Sequence, residues 1–289
     1  MLIKYLSSLF LIVISASGWT NSIATLNTSG ATGLKLFVYN THGLPTIFAG
    51  DRPSERFPKI GSLTQRFDLS LLQEDFAHHD LFVQHVKAAK VYVGVDEDFA
   101  KCLLCSNSGL TMVSNLDSAH WEIRTAFEPF NKCSGWLGKS NDCFAQKGFQ
   151  LIDLKNNQGN RIYIVNTHLD AGRHQLDLEA RAAQLDEIAR ALEDRADGEA
   201  VLLAGDLNLD WDSAADRDVL QDFVQRLDLI LAQKGGDERN SWKTLDYIYY
   251  RSGRETEIST ISSGEVKALS QNGEPLSDHP ALFLHFEIH

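Results

Sequence analysis

Short apolar runs bounded by polar or turn-forming residues recur along the chain. They predict strands at LKLFVY (34 to 39), LSLLQE (69 to 74), KVYVGV (90 to 95), GLTMVSN (109 to 115), WEIRTAF (121 to 127), FQLIDL (149 to 154), RIYIVN (161 to 166), AVLLAGD (200 to 206), TLDYIYY (244 to 250), ETEISTI (255 to 261) and ALFLHFEI (281 to 288). Many alternate only partly between apolar and polar, which suits strands covered on at least one face by helices or a second sheet. Residues 155 to 159, KNNQG, read as a hairpin connection. Helical spacing is strongest from Leu176 to Leu192, where Leu178, Leu185, Ile188 and Leu192 form one stripe. A weaker helix is predicted over 212 to 231 from Val219, Phe223, Leu227 and Leu231, with further helices near 55 to 66 and 78 to 88 and loops at 96 to 108 and 128 to 147. No internal repeat or low-complexity tract interrupts the pattern. The expected architecture is α/β, with two packed sheets and helices outside.

The amino terminus changes the picture of where the chain works. Lys4, the apolar LFLIVISA and the small residues Ser22-Ile23-Ala24 have the form of a signal peptide over residues 1 to 24. The apolar run is shorter than the ~20 residues that span a bilayer. A secreted or periplasmic mature chain, one domain over 25 to 289 with no transmembrane segment, is therefore expected. Export makes disulfides the expected state of Cys102, Cys105, Cys133 and Cys143, and all three connectivities stay open. Cys102-Leu-Leu-Cys105 is also compatible with half a zinc site or a redox pair. The 289 residues are 43% hydrophobic, enough for a sizeable core, and carry a formal charge of -12. That balance shows none of the basic footprint of proteins that grip nucleic acid strongly, and it disfavours an anionic membrane but not a zwitterionic lipid.

Chemistry gathers where the strands end. LFVYN closes on Asn40, LSLLQE on Gln73 and Glu74, RIYIVN leads to Asn166, His168 and Asp170, AVLLAG leads to Asp206 and Asn208, and Ser277-Asp278-His279 precedes the last strand. Each cluster alone is an acceptable turn. Five of them, each rich in carboxylate, imidazole or amide, are better explained by a shared site at strand ends. A hard dication needs few protein carboxylates, a phosphoryl transition state needs charge stabilisation and an aligned water, and an imidazole can accept that water's proton. Glu74, His168, Asp206, Asn208 and His279 supply those parts.

The ordered series Asn40, LLQE ending at Glu74, Lys147-Gly148, NTHLDA, GDLN ending at Asn208, TLDY and SDH ending at His279 resembles the endonuclease/exonuclease/phosphatase superfamily over about residues 34 to 289. The resemblance implies a deoxyribonuclease I-like, four-layer α/β sandwich of two mainly antiparallel sheets. YNTHGLP, SNSGLTMVS and the stretch CSGWLGKSNDCFAQKG are most similar to the neutral sphingomyelinase branch. By that likeness the protein is an Mg²⁺-dependent (or Mn²⁺- or other divalent-cation-dependent) phosphodiesterase of phospholipase C type. It acts as a monomer on sphingomyelin or a related choline phospholipid by peripheral contact with a membrane. A secreted nuclease is the alternative, followed by an inositol-phosphate phosphatase.

The resemblance also implies roles. Glu74 ligates the cation with Asn40 beside it, and Asp278 binds a second metal or supports the site. His279 is the general base, oriented by Asp246. His168 and Asn208 stabilise the pentacovalent phosphorus, Asp206 positions the water or assists the leaving group, and Lys147 contacts phosphate. Gln73, Asn166 and Asp170 are support candidates, with Asn166 expected to pin its strand end. Departures are His42, where an aromatic is common, and Asp170 in THLDA, where THLQA is usual. The polar interval AQKGGDERNSW is too short for the aromatic membrane hairpin of the secreted bacterial toxins. His78-His79 read as a surface helix start. Trp121, Trp136 and Trp211 read as packing residues, with Trp136 the one to test for lipid contact.

Overall fold

The computed structural model describes residues 31–44, 52–87, 90–95, 108–135, 143, 145–235, 244–270 and 272–289. The signal segment, Cys102, Cys105, Trp136 and Trp242 lie outside the described residues, as does most of the interval before Leu245. Two six-stranded sheets face each other. One runs in the order β11 (Ile258–Val266), β12 (Ala281–Ile288), β1 (Thr32–Asn40), β2 (Leu69–Gln73), β4 (Thr111–Ser114) and β3 (Lys90–Val93). The other runs β5 (Trp121–Pro129), β6 (Gly148–Asn156), β7 (Arg161–His168), β8 (Ala200–Asp206), β10 (Asp246–Arg251) and β9 (Ile230–Lys234).

The partial alternation of the apolar runs follows from burial on both faces. Leu34, Leu36 and Val38 of β1 meet Ile162 and Ile164 of β7 and Ala200, Leu202 and Ala204 of β8 between the sheets. The intervening Phe37 and Tyr39 pack instead on Phe57, Ile60 and Phe82, carried by α1 (Pro53–Leu63) and α2 (His79–Val83). On the other outer face Tyr163, Val165, Val201 and Leu203 meet Leu185, Ile188 and Leu192 of α3 (Gln175–Arg195) and Leu220 and Phe223 of α4 (Ala214–Arg226). The result is four layers, helices/sheet/sheet/helices. Each fully buried Leu, Ile or Phe contributes roughly 1.5–3 kcal/mol to holding them together.

Each sheet holds one parallel pair, β1 with β2 and β7 with β8. Parallel partners end side by side, so Asn40 is in register with Gln73, and His168 with Asp206. That topology, more than any single turn, delivers the polar strand ends to one place.

Three expectations need correction. The helix predicted over 212 to 231 stops at Arg226: Asp228 takes φ +53°, Leu229 N–H donates to Val224 O at 3.0 Å and Asp228 N–H to Gln225 O at 3.3 Å. This paired C-terminal motif turns the chain, and residues 230–234 become edge strand β9. The 78 to 88 helix contracts to a 3₁₀ turn over Phe76–His78 followed by α2. The last hairpin strand, β11, runs on to Val266, beyond the predicted end at 261. Among the described residues no helix is long and apolar enough to cross a membrane.

Candidate active site

Asn40, at the end of β1, reaches across to both sheets: its Nδ2 donates to Glu74 Oε1 and to Asp206 Oδ2, each at 3.0 Å, while its Oδ1 accepts the His42 N–H at 3.0 Å. One amide thus joins two carboxylates from different sheets. The backbone is bent to achieve this. Four described non-glycine residues have positive φ, and three belong here: His42 (50°), Glu74 (57°) and Asn208 (51°). Such conformations cost free energy and persist only where the surroundings impose them. Gly43 is one such imposition. Its N–H donates to Glu74 O at 2.7 Å, and a Cβ at this position would lie 2.1 Å from that oxygen.

Behind the carboxylates stands His168, buried, with Nε2 at 3.6 Å from Glu74 Oε1 and 3.5 Å from Asp206 Oδ2. Lys147 Nζ lies 3.2 Å from the same nitrogen and donates to Leu169 O at 2.6 Å. An ammonium has no lone pair, so Nε2 accepts and the ring carries its proton on Nδ1. Burial, then the charges of Lys147 and His279, hold the His168 pKa well below 6.5, so the ring is neutral. Asn208 Nδ2 also donates to Leu169 O, at 3.1 Å, and Asn208 N–H donates to Asp206 Oδ1 at 2.9 Å. Leu169 O therefore fixes Lys147 and Asn208 together.

His279 closes the other side. Its Nδ1 bonds Asp246 Oδ2 at 2.9 Å and its Nε2 stands 3.7 Å from Asp206 Oδ2. Burial works against the imidazolium, but the charges of Asp246 and Asp206 and the Asp246 bond outweigh it and raise the pKa to about 11. Asp246 Oδ1 is buried without a hydrogen-bond partner among the described residues. Asp278, expected as a metal ligand or support, turns outward to His42 Nδ1 at 3.2 Å, separate from the Glu74 cluster. Burial raises its pKa, but the His42 bond and the His279 charge dominate and lower it to about 2.

Can these residues hold a dication? The ligand atoms of Glu74, His168 and Asp206 all lie within 4.8 Å of one another, as do those of Asp206, Asp246 and His279. Burial raises the pKa of Glu74, and it raises that of Asp206 to about 6, against the partial relief of His279 and Lys147. Two buried carboxylates with incomplete charge compensation, beside a neutral imidazole, form an oxygen-rich set that a hard cation fits.

The support candidates act from further back. Asn166 Oδ1 accepts Gln73 Nε2 at 2.7 Å and Asn166 Nδ2 donates to Gln150 Oε1 at 2.9 Å, a buried bridge between the sheets. Asp170 is fully buried and away from the carboxylate cluster. It accepts Ser134 N–H at 2.6 Å and Gln184 Nε2 at 2.8 Å, so it anchors the loop of the Cys133–Cys143 disulfide to α3. Trp211 is half-buried against Tyr247, with Lys234 Nζ 4.2 Å over its ring.

Two further residues support the site without standing out in the sequence. Asp75, fully buried, accepts both Thr111 Oγ1 and His79 Nδ1 at 2.6 Å and ties α2 to β4 behind Glu74, so the His78-His79 pair is half-buried rather than on the surface. Arg56 donates to backbone oxygens of two site loops. Its sequence signal is a charged residue next to Phe57 and one helical turn before Ile60, on the apolar stripe.

Two facing sheets with a polar cluster at their parallel strand ends define a deoxyribonuclease I-like fold. Residues 83–245 match the model of endonuclease/exonuclease/phosphatase family 2, and the chain belongs to that family. The sphingomyelinase of Mycobacterium tuberculosis (strain ATCC 25618 / H37Rv) is 25% identical over 265 residues, covering 84% of this chain and 50% of its own length. The chain thus spans about half the length of the curated relatives it matches. Among solved structures, a beta toxin variant from Staphylococcus aureus with bound magnesium ions superposes with a TM-score of 0.63 at 18% identity, over 88% of this chain and 99% of that one. D. rerio TDP2 complexed with a single-strand DNA product gives 0.65 at 15% identity, again over 88% and 99%.

Proposed function

We propose that this chain is an exported, Mg²⁺-dependent phosphodiesterase of phospholipase C type that hydrolyses sphingomyelin or a related choline phospholipid. The observation that carries the reading is the Glu74–Asn40–Asp206 bridge, with His279 Nε2 of the His279–Asp246 pair 3.7 Å from Asp206 Oδ2 and neutral His168 beside the two carboxylates. Glu74 and Asp206 are the ligands best placed for the cation, with Asn40 holding them together. A bound cation would offset the carboxylate charge, stabilise charge on the phosphate oxygens and lower the His279 pKa.

His279 Nε2 then accepts a proton from the attacking water while Asp246 holds the ring in the required tautomer. As the water oxygen bonds to phosphorus, the P–O bond to the lipid alcohol breaks, the departing alkoxide takes up a proton equivalent to the one His279 accepted, and phosphocholine and the lipid alcohol are released. Asn208 and Lys147 hold the phosphoryl oxygens, and Asp206 orients the water or the leaving oxygen. Asp278 supports the His279 loop through His42. The mature chain, one catalytic domain over 25–289, works as a secreted or periplasmic monomer touching the membrane only peripherally. The charge of -12 favours a zwitterionic lipid over an anionic polymer. The likeness to a DNA-bound TDP2 structure favours a nuclease as the second reading.

The test is to incubate purified protein, with Mg²⁺ or with chelator, with sphingomyelin vesicles, plasmid DNA and an inositol polyphosphate. Mg²⁺-dependent release of phosphocholine is expected. Degradation of plasmid without phosphocholine release would overturn the lipid reading.

A further inference from the structure

Arg56 lies on α1, outside the strand-end motifs, and is 9% exposed. Its Nη1 donates to Thr41 O at 2.9 Å and to Leu276 O at 2.5 Å, and its Nη2 donates to His42 O at 2.8 Å. These oxygens belong to two loops that carry opposite halves of the site. Thr41 and His42 follow Asn40. Thr41 N–H and Oγ1 both donate to Gln73 O, at 2.8 and 2.9 Å, and Gly43 N–H donates to Glu74 O, so this loop sets the position of the Glu74 backbone. Leu276 leads into Ser277-Asp278-His279, where the His279 N–H donates to Ser277 Oγ at 3.2 Å.

We infer that Arg56 is a positioning residue for the reaction, its buried guanidinium setting the spacing between the Asn40–Glu74 half of the site and the His279 half. The inference rests on reading His279 as the base. A second link joins the same loops, His42 Nδ1 to Asp278 Oδ1 at 3.2 Å, with the Asp278 side chain 59% exposed, so solvent screens it more than the buried guanidinium bonds. The planar guanidinium holds the three carbonyls Thr41 O, His42 O and Leu276 O in one fixed geometry, whereas a lysine ammonium is a single freely rotating donor that does not fix their spacing. Displacing reacting groups by about 1 Å is enough to cost on the order of a hundredfold in rate.

The experiment uses the full chain and two variants, Arg56→Lys and, as a packing control on the same helix, Ile60→Val. Kinetics are measured on sphingomyelin micelles and on bis(p-nitrophenyl) phosphate, and hydrogen–deuterium exchange is followed in parallel. Arg56→Lys is expected to lower kcat by roughly 10- to 100-fold with KM changed by less than about twofold, while Ile60→Val keeps the parent kcat. In exchange, segments 41–44 and 276–280 loosen together in Arg56→Lys and the amides of β7 and β8 do not. Parent-like kcat in Arg56→Lys, or loosening of one loop alone, overturns the inference. If the parent cleaves neither substrate, the functional reading fails, and the joint exchange of the two loops still decides whether Arg56 couples them.

Discussion

The two ends of the sandwich put the same residue types to different uses. At the hairpin between β6 and β7, Asn156 Oδ1 accepts the N–H groups of Gln158 and Asn160 at 3.0 and 2.9 Å, and Gly159 supplies φ +99°. Nearby, Asp117 Oδ1 accepts Ala119 N–H at 2.9 Å. These side chains serve backbone a few residues away, as turn residues do. At the opposite end, Asn40 serves Glu74 and Asp206, Asn166 serves Gln73 and Gln150, and Asp246 serves His279. Asn40 and Asp206 there also accept the local N–H groups of His42 and Asn208, but their further partners are side chains distant in sequence, on backbone bent to positive φ at Glu74 and Asn208. A polar strand end that serves only local backbone is a turn, and one that adds distant side chains to those local bonds is a site.

The contrast breaks most visibly if the distant partners are removed. His279→Ala should lower turnover by about 10²–10⁴-fold and also lower the melting temperature, because buried Asp246 loses its partner, read from phosphate-ester kinetics beside a thermal melt. Asp246→Asn, which keeps the shape but loses the charge that stabilises the imidazolium, should lower kcat by about 10²-fold or more, and parent-like kcat would remove Asp246 from the mechanism.

Asp206 gives a stability effect of opposite sign. Its folded pKa is raised from 3.8 to about 6, so its ionisation penalises the metal-free fold progressively as pH rises through that interval. Metal-free Asp206→Asn should therefore gain stability relative to the parent as pH rises from 3.8 through 6, against a pH-independent loss of one accepted hydrogen bond, from Asn40 Nδ2 or the Asn208 N–H. Denaturant melts across that pH range in chelator measure it. The smallest effect belongs to the far end: Asn156→Ala should cost about 1–2 kcal/mol of stability by the same melts and leave turnover at the parent value.

Much of this architecture is legible in the amino-acid letters. β1, β7 and β8 can be read because both faces are buried, which leaves nearly unbroken apolar runs. β9 cannot, because Leu227 and Leu231 prolong a four-residue spacing through a turn made by Asp228, where a glycine would signal the stop. His168, Asp206, Asn208 and His279 stand out as reactive side chains at the ends of apolar strands, the last of them just before β12. Arg56 does not, because it acts through backbone oxygens, one of them 220 residues away. Family likeness groups Asp278 with the metal ligands, but the fold gives its side chain to His42, a pairing that only the meeting of two loops reveals.

The most direct measurement is a crystal soaked in Mn²⁺ and recorded at an anomalous wavelength. A single strong peak within coordination distance of the Glu74 and Asp206 carboxylates is expected, and it should disappear in Glu74→Gln. A peak elsewhere with none at these carboxylates, or an undiminished peak in Glu74→Gln, would contradict a dication held at the meeting of the two sheets.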